Sequence, residues 1–197
     1  MGFETPPSNW YHIAMDNSPT DIPWNRPSLW CEANTTLART IHCHHTDMAA
    51  AIQTAGKIRM RLESIFPCMD ALCRHTCPTC TDNCCQRAWV WADFKDLLFY
   101  HLAGITPPEA QLLGGRGEHC RYAGPFGCRL DRFQRPFVCS WYLCPAQTLI
   151  LQNTPADRDD LVTSLQWVQA ARRRLEAQFI QAVFNPGEAA SYDAVKG

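Results

Sequence analysis

Twelve cysteines in a chain of 197 residues restrict this protein more than any other feature, and ten of them fall between Cys68 and Cys144. A stretch so rich in thiols folds in one of three ways: the thiols pair as disulfides, hold metal, or bury singly. Disulfides belong to oxidising compartments, and the Met1 to Trp10 segment has neither the basic start nor the apolar core of a secretory signal. No run approaches the roughly 20 apolar residues of a membrane helix. The chain therefore reads as soluble and cytoplasmic, where close-spaced cysteines point to metal. Six disulfides would require an export route.

The spacing agrees. In Cys77-Pro-Thr-Cys80, two intervening residues let both thiolates turn toward one ion, and Cys84 and Cys85 follow closely. Adjacent cysteines usually point in different directions, so one of Cys84 and Cys85 is a ligand and the other buried, or each serves a different centre. Downstream, Cys120, Cys128, Cys139 and Cys144 bring the thiols to eight, the number needed for two four-cysteine sites or for one site with spares. The later half lacks the matched C-x-x-C knuckle usual for zinc. It also carries Phe133, Phe137, Trp141 and Tyr142, which would make a dry shell around a cluster. Iron-sulfur is the favoured reading, as one or two 4Fe-4S clusters, with zinc as the alternative. Arg135 would donate hydrogen bonds to the cluster or to an anion, or else fix a turn through a salt bridge. Cys31 and Cys43 read as buried thiols. The cluster His42, Cys43, His44, His45 offers further ligands at helical spacing, although such histidines are more often boundary residues.

These residues carry a resemblance. Cys77, Cys80, Cys84 and Cys85, then Cys120, Gly127-Cys128-Arg129-Leu130 and Arg135-Pro136-Phe137-Val138-Cys139 are similar to the YkgJ-type cysteine-cluster family, described as a zinc- or iron-chelating domain. The likeness spans about a third of the chain. A flagellin lysine N-methylase carries a similar cluster, so the resemblance allows methyl transfer as one activity. It assigns no role to Cys68, Cys73 or Cys144.

Around this core the sequence predicts a mainly α protein with minor β structure. Residues 1–33, with Pro6, Pro7, Pro19, Pro23 and Pro27 beside Trp10, Trp24 and Trp30, read as an extended arm that wraps its own domain or docks on a partner. One helical domain should follow over 34–187, with its metal core at 68–144 and a tail at 188–197. A long amphipathic helix is expected from Asn34 to Phe66, ending at Pro67, with Leu37, Ile41, Met48, Ile52, Ala55, Leu62 and Ile65 on one face. Cys68 to Cys85 should be a loop. A short helix is expected from Asp93 to Leu102, stopped by Gly104. Another should start at Thr106, Pro107 and Glu109 and stop at Gly114 and Gly115. Short strands carrying Cys120 and Cys128 should flank a turn at Ala123 to Gly127. A second long helix should open at Thr154, Pro155 and Asp157, with Leu161, Leu165, Val168, Leu175, Phe179 and Val183 facing the first helix, and stop at Asn185, Pro186 and Gly187. Arg172, Arg173 and Arg174 on it read as a solvated face, or a dock for an acidic partner.

With eighteen basic against nineteen acidic residues, nothing draws the chain toward nucleic acid. No phosphate loop, nucleophile elbow or His-Glu metalloprotease motif is present. Glu32, Asp47, Asp70, Asp93, Asp96 and His101 are available acids and bases, but their spacing selects none of them. Three functions remain open: electron transfer, as an accessory subunit docked through the arm or the long helices; an iron-sulfur enzyme such as a methyltransferase; and a structural zinc module.

Overall fold

The computed structural model describes residues 22–80, 90–115, 117–125 and 127–184. It is mainly α with one two-stranded sheet, as the sequence predicts. Much of the expected arm, together with Cys84 and Cys85 and the tail, lies outside the described residues.

Helix α1 runs Pro27–Cys43, seven residues earlier than expected. Proline suits a first helical turn because its missing N–H has no intrahelical partner there in any case. Trp30, read as part of an extended arm, is instead 3% exposed in this turn. Its indole N–H donates to the Pro108 carbonyl at 2.8 Å.

The chain then turns through a 3₁₀ segment, His45–Met48, into α2, Ala49–Thr76. One long helix was expected here, and two form. Between Ile41 and Met48 the only apolar side chain is Cys43, which is exposed, so no burial supports a continuous helix through that turn. Pro67 does not end α2. It sits on the exposed face, as does Glu63, so the carbonyl that proline strips of its partner meets water. Burial of Ile65, Phe66, Met69 and Leu72 holds the helix beyond it. Cys68 and Cys73, expected in a loop, are therefore helical.

Helix α3, Phe94–Leu102, starts at a reciprocal capping box: the Asp93 carboxylate accepts the Asp96 N–H at 2.9 Å, and the Asp96 carboxylate accepts the Asp93 N–H at 2.9 Å. It ends as predicted. Gly104 takes φ 67°, and the Ile105 N–H reaches back to the Tyr100 carbonyl at 2.8 Å, the long closing bond of a glycine-terminated helix.

No helix forms at 106–115, against expectation. Gln111, Leu112 and Leu113 are consecutive and all buried, which one face of a helix cannot arrange. The Gln111 amide organises the segment instead. Its oxygen accepts the Ala92 N–H at 2.8 Å and the Leu112 N–H at 3.0 Å, and its nitrogen donates to the Pro23 and Ala92 carbonyls at 3.0 Å each.

Strands β1, Ala123–Gly124, and β2, Gly127–Cys128, form a small antiparallel hairpin. Cys128 is in it, whereas Cys120 precedes it. After a 3₁₀ turn, Arg132–Gln134, come the short helices α4, Val138–Trp141, and α5, Pro145–Gln152, and then the long α6, Pro155–Phe184. Helices α2 and α6 make the largest helix contact in the fold. They run antiparallel: Arg61 lies 5.7 Å over the Trp167 ring, while Cys68, further along α2, feels Asp157 and Asp160 earlier in α6. The expected stripe is buried at Leu161, Leu165, Val168, Leu175 and Phe179. Helices α1 and α3 complete the main core, and Ile22, Val90, Leu112, Leu113 and Cys120 form a second, smaller one.

The basic run on α6 is not one face. Arg173 and Arg174 are exposed, but the Arg172 side chain is 8% exposed and bound to Asp93 at 2.8 Å and Asp96 at 2.5 Å.

Candidate metal centre

The end of α2 collects the cysteine chemistry. Residues four apart on a helix share a face, with about 5–6 Å between Cβ atoms, and Cys73 and Cys77 stand in that relation. The Cys73 and Cys77 thiols are hydrogen-bond partners. Two donors converge on the Cys73 sulfur: Arg132 Nη2 at 3.2 Å and Gln147 Nε2 at 3.5 Å. Each is itself held in place. Arg132 Nε donates to Asp70 at 2.6 Å, and the Gln147 side-chain oxygen accepts the Cys144 N–H at 3.2 Å.

This environment favours a thiolate. The Cys77 hydrogen bond is the largest influence on Cys73; partial burial opposes it, and the charge and hydrogen bond of Arg132 then add to it, with Arg135 beyond. The pKa falls to about 5. Cys68, five residues earlier on α2, behaves in the opposite way. Burial raises its pKa, and Asp157 and Asp160 raise it further.

The predicted ligands fall into separate settings. Cys77 opens a 3₁₀ turn, Cys77–Thr79, and Cys80 closes it, its N–H donating to the Cys77 carbonyl at 3.3 Å. The hairpin comes up beside this turn: a Cβ placed on Gly127 would stand 4.0 Å from the Cys77 Cβ. Cys128 is the next residue. Cys144 caps the N-terminus of α5, its sulfur accepting the Gln147 N–H in a box that the Gln147 side chain reciprocates. Since Gln147 also reaches Cys73, the capping box joins Cys144 to the α2 end.

Cys120 and Cys139 are placed differently. Cys120 is 6% exposed within the smaller apolar core, and Cys139 packs against that core. Among the described residues, no three His, Cys, Asp or Glu side chains already converge as a metal-holding group, the His42 to His45 cluster included. Cys31 and Cys43, expected to be buried, are exposed. Arg135 fixes a turn through a carbonyl: its Nε donates to the Leu130 oxygen at 3.0 Å.

Sequence reasoning left Cys73 unassigned and did not single out Arg132 or Gln147. The available signal was the Cys73-x-x-x-Cys77 spacing, which becomes a pair only if the helix survives Pro67. It also read Arg172 as solvated. Arg172 ties the segment carrying Cys139 to α6, because the Asp96 oxygen it binds also accepts the Phe137 N–H at 2.9 Å, and its guanidinium lies 4.8 Å over the Phe137 ring.

The fold and this site together define an α-helical protein with a cysteine-rich centre at one end of a long antiparallel helix pair. No family model matches the chain, and no curated protein or solved structure does either. No helix among the described residues is long and apolar enough to cross a membrane.

Proposed function

We propose that this protein is a cysteine-ligated metalloprotein of the cytoplasm, binding an iron-sulfur cluster in a redox or electron-transfer role as the accessory subunit of a larger enzyme. The observation that carries the reading is the Cys73 and Cys77 pair, with the Arg132 and Gln147 N–H groups aimed at sulfur. Thiolate sulfur is the donor that iron-sulfur centres use, and N–H bonds to sulfur are among the groups that set their potential. Thiolate is the donor type such a group takes, while among the described residues fewer than three candidate ligands stand together; the Cys77-to-Cys144 resemblance to a chelating family supports the reading. Cys77, Cys80, Cys84, Cys85, Cys120, Cys128, Cys139 and Cys144 are the pool from which the remaining ligands come.

When bound, the cluster would accept and release single electrons. The chain's own task is to hold thiolates at fixed positions and offset their charge. Arg132 supplies the nearest cation, and Asp70 keeps it from turning away. Phe137 lies in the main core, and Trp141 packs against it.

Protein purified without oxygen should contain iron and acid-labile sulfide and give a paramagnetic signal on reduction. Stoichiometric zinc in colourless protein would replace this reading with that of a structural module. A spectral change on adding S-adenosylmethionine, with turnover of a methyl acceptor, would replace electron transfer with catalysis.

A further inference from the structure

We propose that the groove between α2 and α6 at Lys57, Met60, Arg61, Ser64 and Trp167 docks an acidic segment of a protein partner, one that carries an apolar side chain between its carboxylates. This rests on the accessory-subunit part of the proposed function and not on its metal.

The groove is an open furrow of about 330 Å³ on the surface of the long helix pair. Its apolar floor is Met60, which is 64% exposed, and Trp167, which packs against the main core and stays partly exposed. Tryptophan, methionine and arginine are among the residue types enriched at the centres of protein interfaces. The walls are cationic. Lys57 and Arg61 stand one turn apart on α2, and Arg61 lies 5.7 Å over the Trp167 ring. Arg174, two turns from Trp167 on the same face of α6, is exposed.

The cations have nothing nearby to neutralise them. Among the described residues no carboxylate is ion-paired with Lys57, Arg61 or Arg174. Ala49 to Leu62 of α2 and Leu161 to Leu175 of α6 carry Lys57, Arg59, Arg61 and Arg172 to Arg174, and not one acidic residue. Of that set, Arg172 is turned inward to Asp93 and Asp96, and Arg59 is engaged with the Ala103 carbonyl and the Phe133 ring. Arg173 lies on another face of α6. Lys57, Arg61 and Arg174 are left on the groove side, in a chain whose net charge is -1. Cations around an apolar floor are complementary to carboxylates around an apolar side chain, and guanidinium groups bind carboxylates in a fixed geometry. A nucleic acid fits less well. Arg61 already covers the Trp167 ring on which a base would stack, and three cations make no continuous track for phosphates.

The test uses the full chain and a short, fluorescein-labelled synthetic peptide of glutamates with a central leucine and phenylalanine. Binding is read by fluorescence anisotropy for wild type, Lys57→Glu, Arg61→Glu and, as a control on another face, Arg173→Glu, with circular dichroism to confirm folding. Wild type and Arg173→Glu should bind alike. Lys57→Glu and Arg61→Glu should each weaken binding about tenfold, and so should alanine in place of the peptide's leucine and phenylalanine. A water-soluble carbodiimide should join the peptide carboxylates to the Lys57 amine, as mapped by mass spectrometry. The docking site is overturned if wild type does not bind the peptide, if Arg173→Glu weakens binding as much as Arg61→Glu, or if the cross-link falls mainly on other lysines. Tighter binding of a short single-stranded RNA, lost in the same variants, would overturn the protein partner in favour of a phosphate polymer. A wild-type dimer dissolved by Lys57→Glu would put a second copy there instead. Iron, zinc and sulfide are measured on the same samples. Metal-bearing protein that binds no peptide sinks the docking site alone, whereas peptide binding by protein that holds no metal sinks the metal reading alone.

Discussion

Replacing Arg172 by Met removes the cation bound to Asp96 in the interior, and the structure gives the size of the effect. Asp96 is 4% exposed and makes three contacts through its carboxylate: the Arg172 guanidinium, the Phe137 N–H and the Asp93 N–H. Removing one partner of a buried ion pair typically costs about 3–5 kcal/mol, since the other charge is left uncompensated. The lost stacking over Phe137 adds about 0.5–1 kcal/mol, and methionine recovers part of the packing. Asp93 is less affected because it is half-exposed and can rehydrate. The expected loss is about 3–4 kcal/mol at pH 8. It depends on pH in a definite direction. In the wild type, burial raises the Asp96 pKa to about 7, against the pull of Arg172. Without Arg172 it rises further. A carboxyl whose folded pKa lies above its unfolded value contributes stability that is present at low pH and lost as pH rises through the folded value. At pH 6, therefore, Asp96 is protonated in wild type and variant alike, and the loss should shrink by about 1 kcal/mol, the worth of the single pH unit between the wild-type pKa of about 7 and pH 8. Urea unfolding followed by circular dichroism at pH 6 and pH 8 measures both values. Arg172→Met combined with Asp96→Asn should recover most of the pH 8 loss. A loss independent of pH between 6 and 8, or no rescue by Asp96→Asn, would refute the assignment of an ionic interior contact.

Gln111→Ala leaves the Ala92 N–H and three further buried backbone groups without their side-chain partner, and should lower stability by about 2–4 kcal/mol in thermal melts. Leu165→Asp should cost more than about 3 kcal/mol, whereas Ile52→Asp, at a half-buried position, should cost about half as much; the order of their urea midpoints checks the facing of α2 and α6. Gly104→Ala, at φ 67°, should cost about 1 kcal/mol with nothing nearby to clash, so a neutral melt would show that the α3 terminus does not need the left-handed turn.

The helices that the sequence predicts well have their signals in local chemistry. Asp93 and Asp96 cap α3, Gly104 stops it, and Pro155 opens α6; each acts within one turn of itself. The errors arise where tertiary burial overrules a local sign. Pro67 is a stop signal that Phe66, Met69 and Leu72 outweigh, and Thr106-Pro107 is a start signal that Gln111 outweighs by offering the backbone better partners. The centre was half legible for the same reason. Cysteine spacing shows which thiols are near in sequence, but whether Cys73 counts depends on α2 continuing. Arg132 and Gln147 reach it from 59 and 74 residues away. Arg172 was misread because a run of three arginines looks uniform until the helix phase turns one of them inward.

The Gln111 amide has a consequence for how this fold tolerates change. Where two segments are joined by a sheet, the joint is made of peptide groups and accepts most side chains at each position. Here one side chain imitates the peptide group: its oxygen and nitrogen pair with the N–H and carbonyl of Ala92 as a neighbouring strand would, and it also reaches Pro23. Asparagine is a methylene too short, glutamate has no donor for the two carbonyls, and lysine has no acceptor for the N–H groups. A saturation library at 111 should therefore return glutamine almost alone, while the exposed residues nearby, Glu109 and Thr106, accept nearly anything. Variation in this stretch is thus confined to the positions on either side of a single fixed amide.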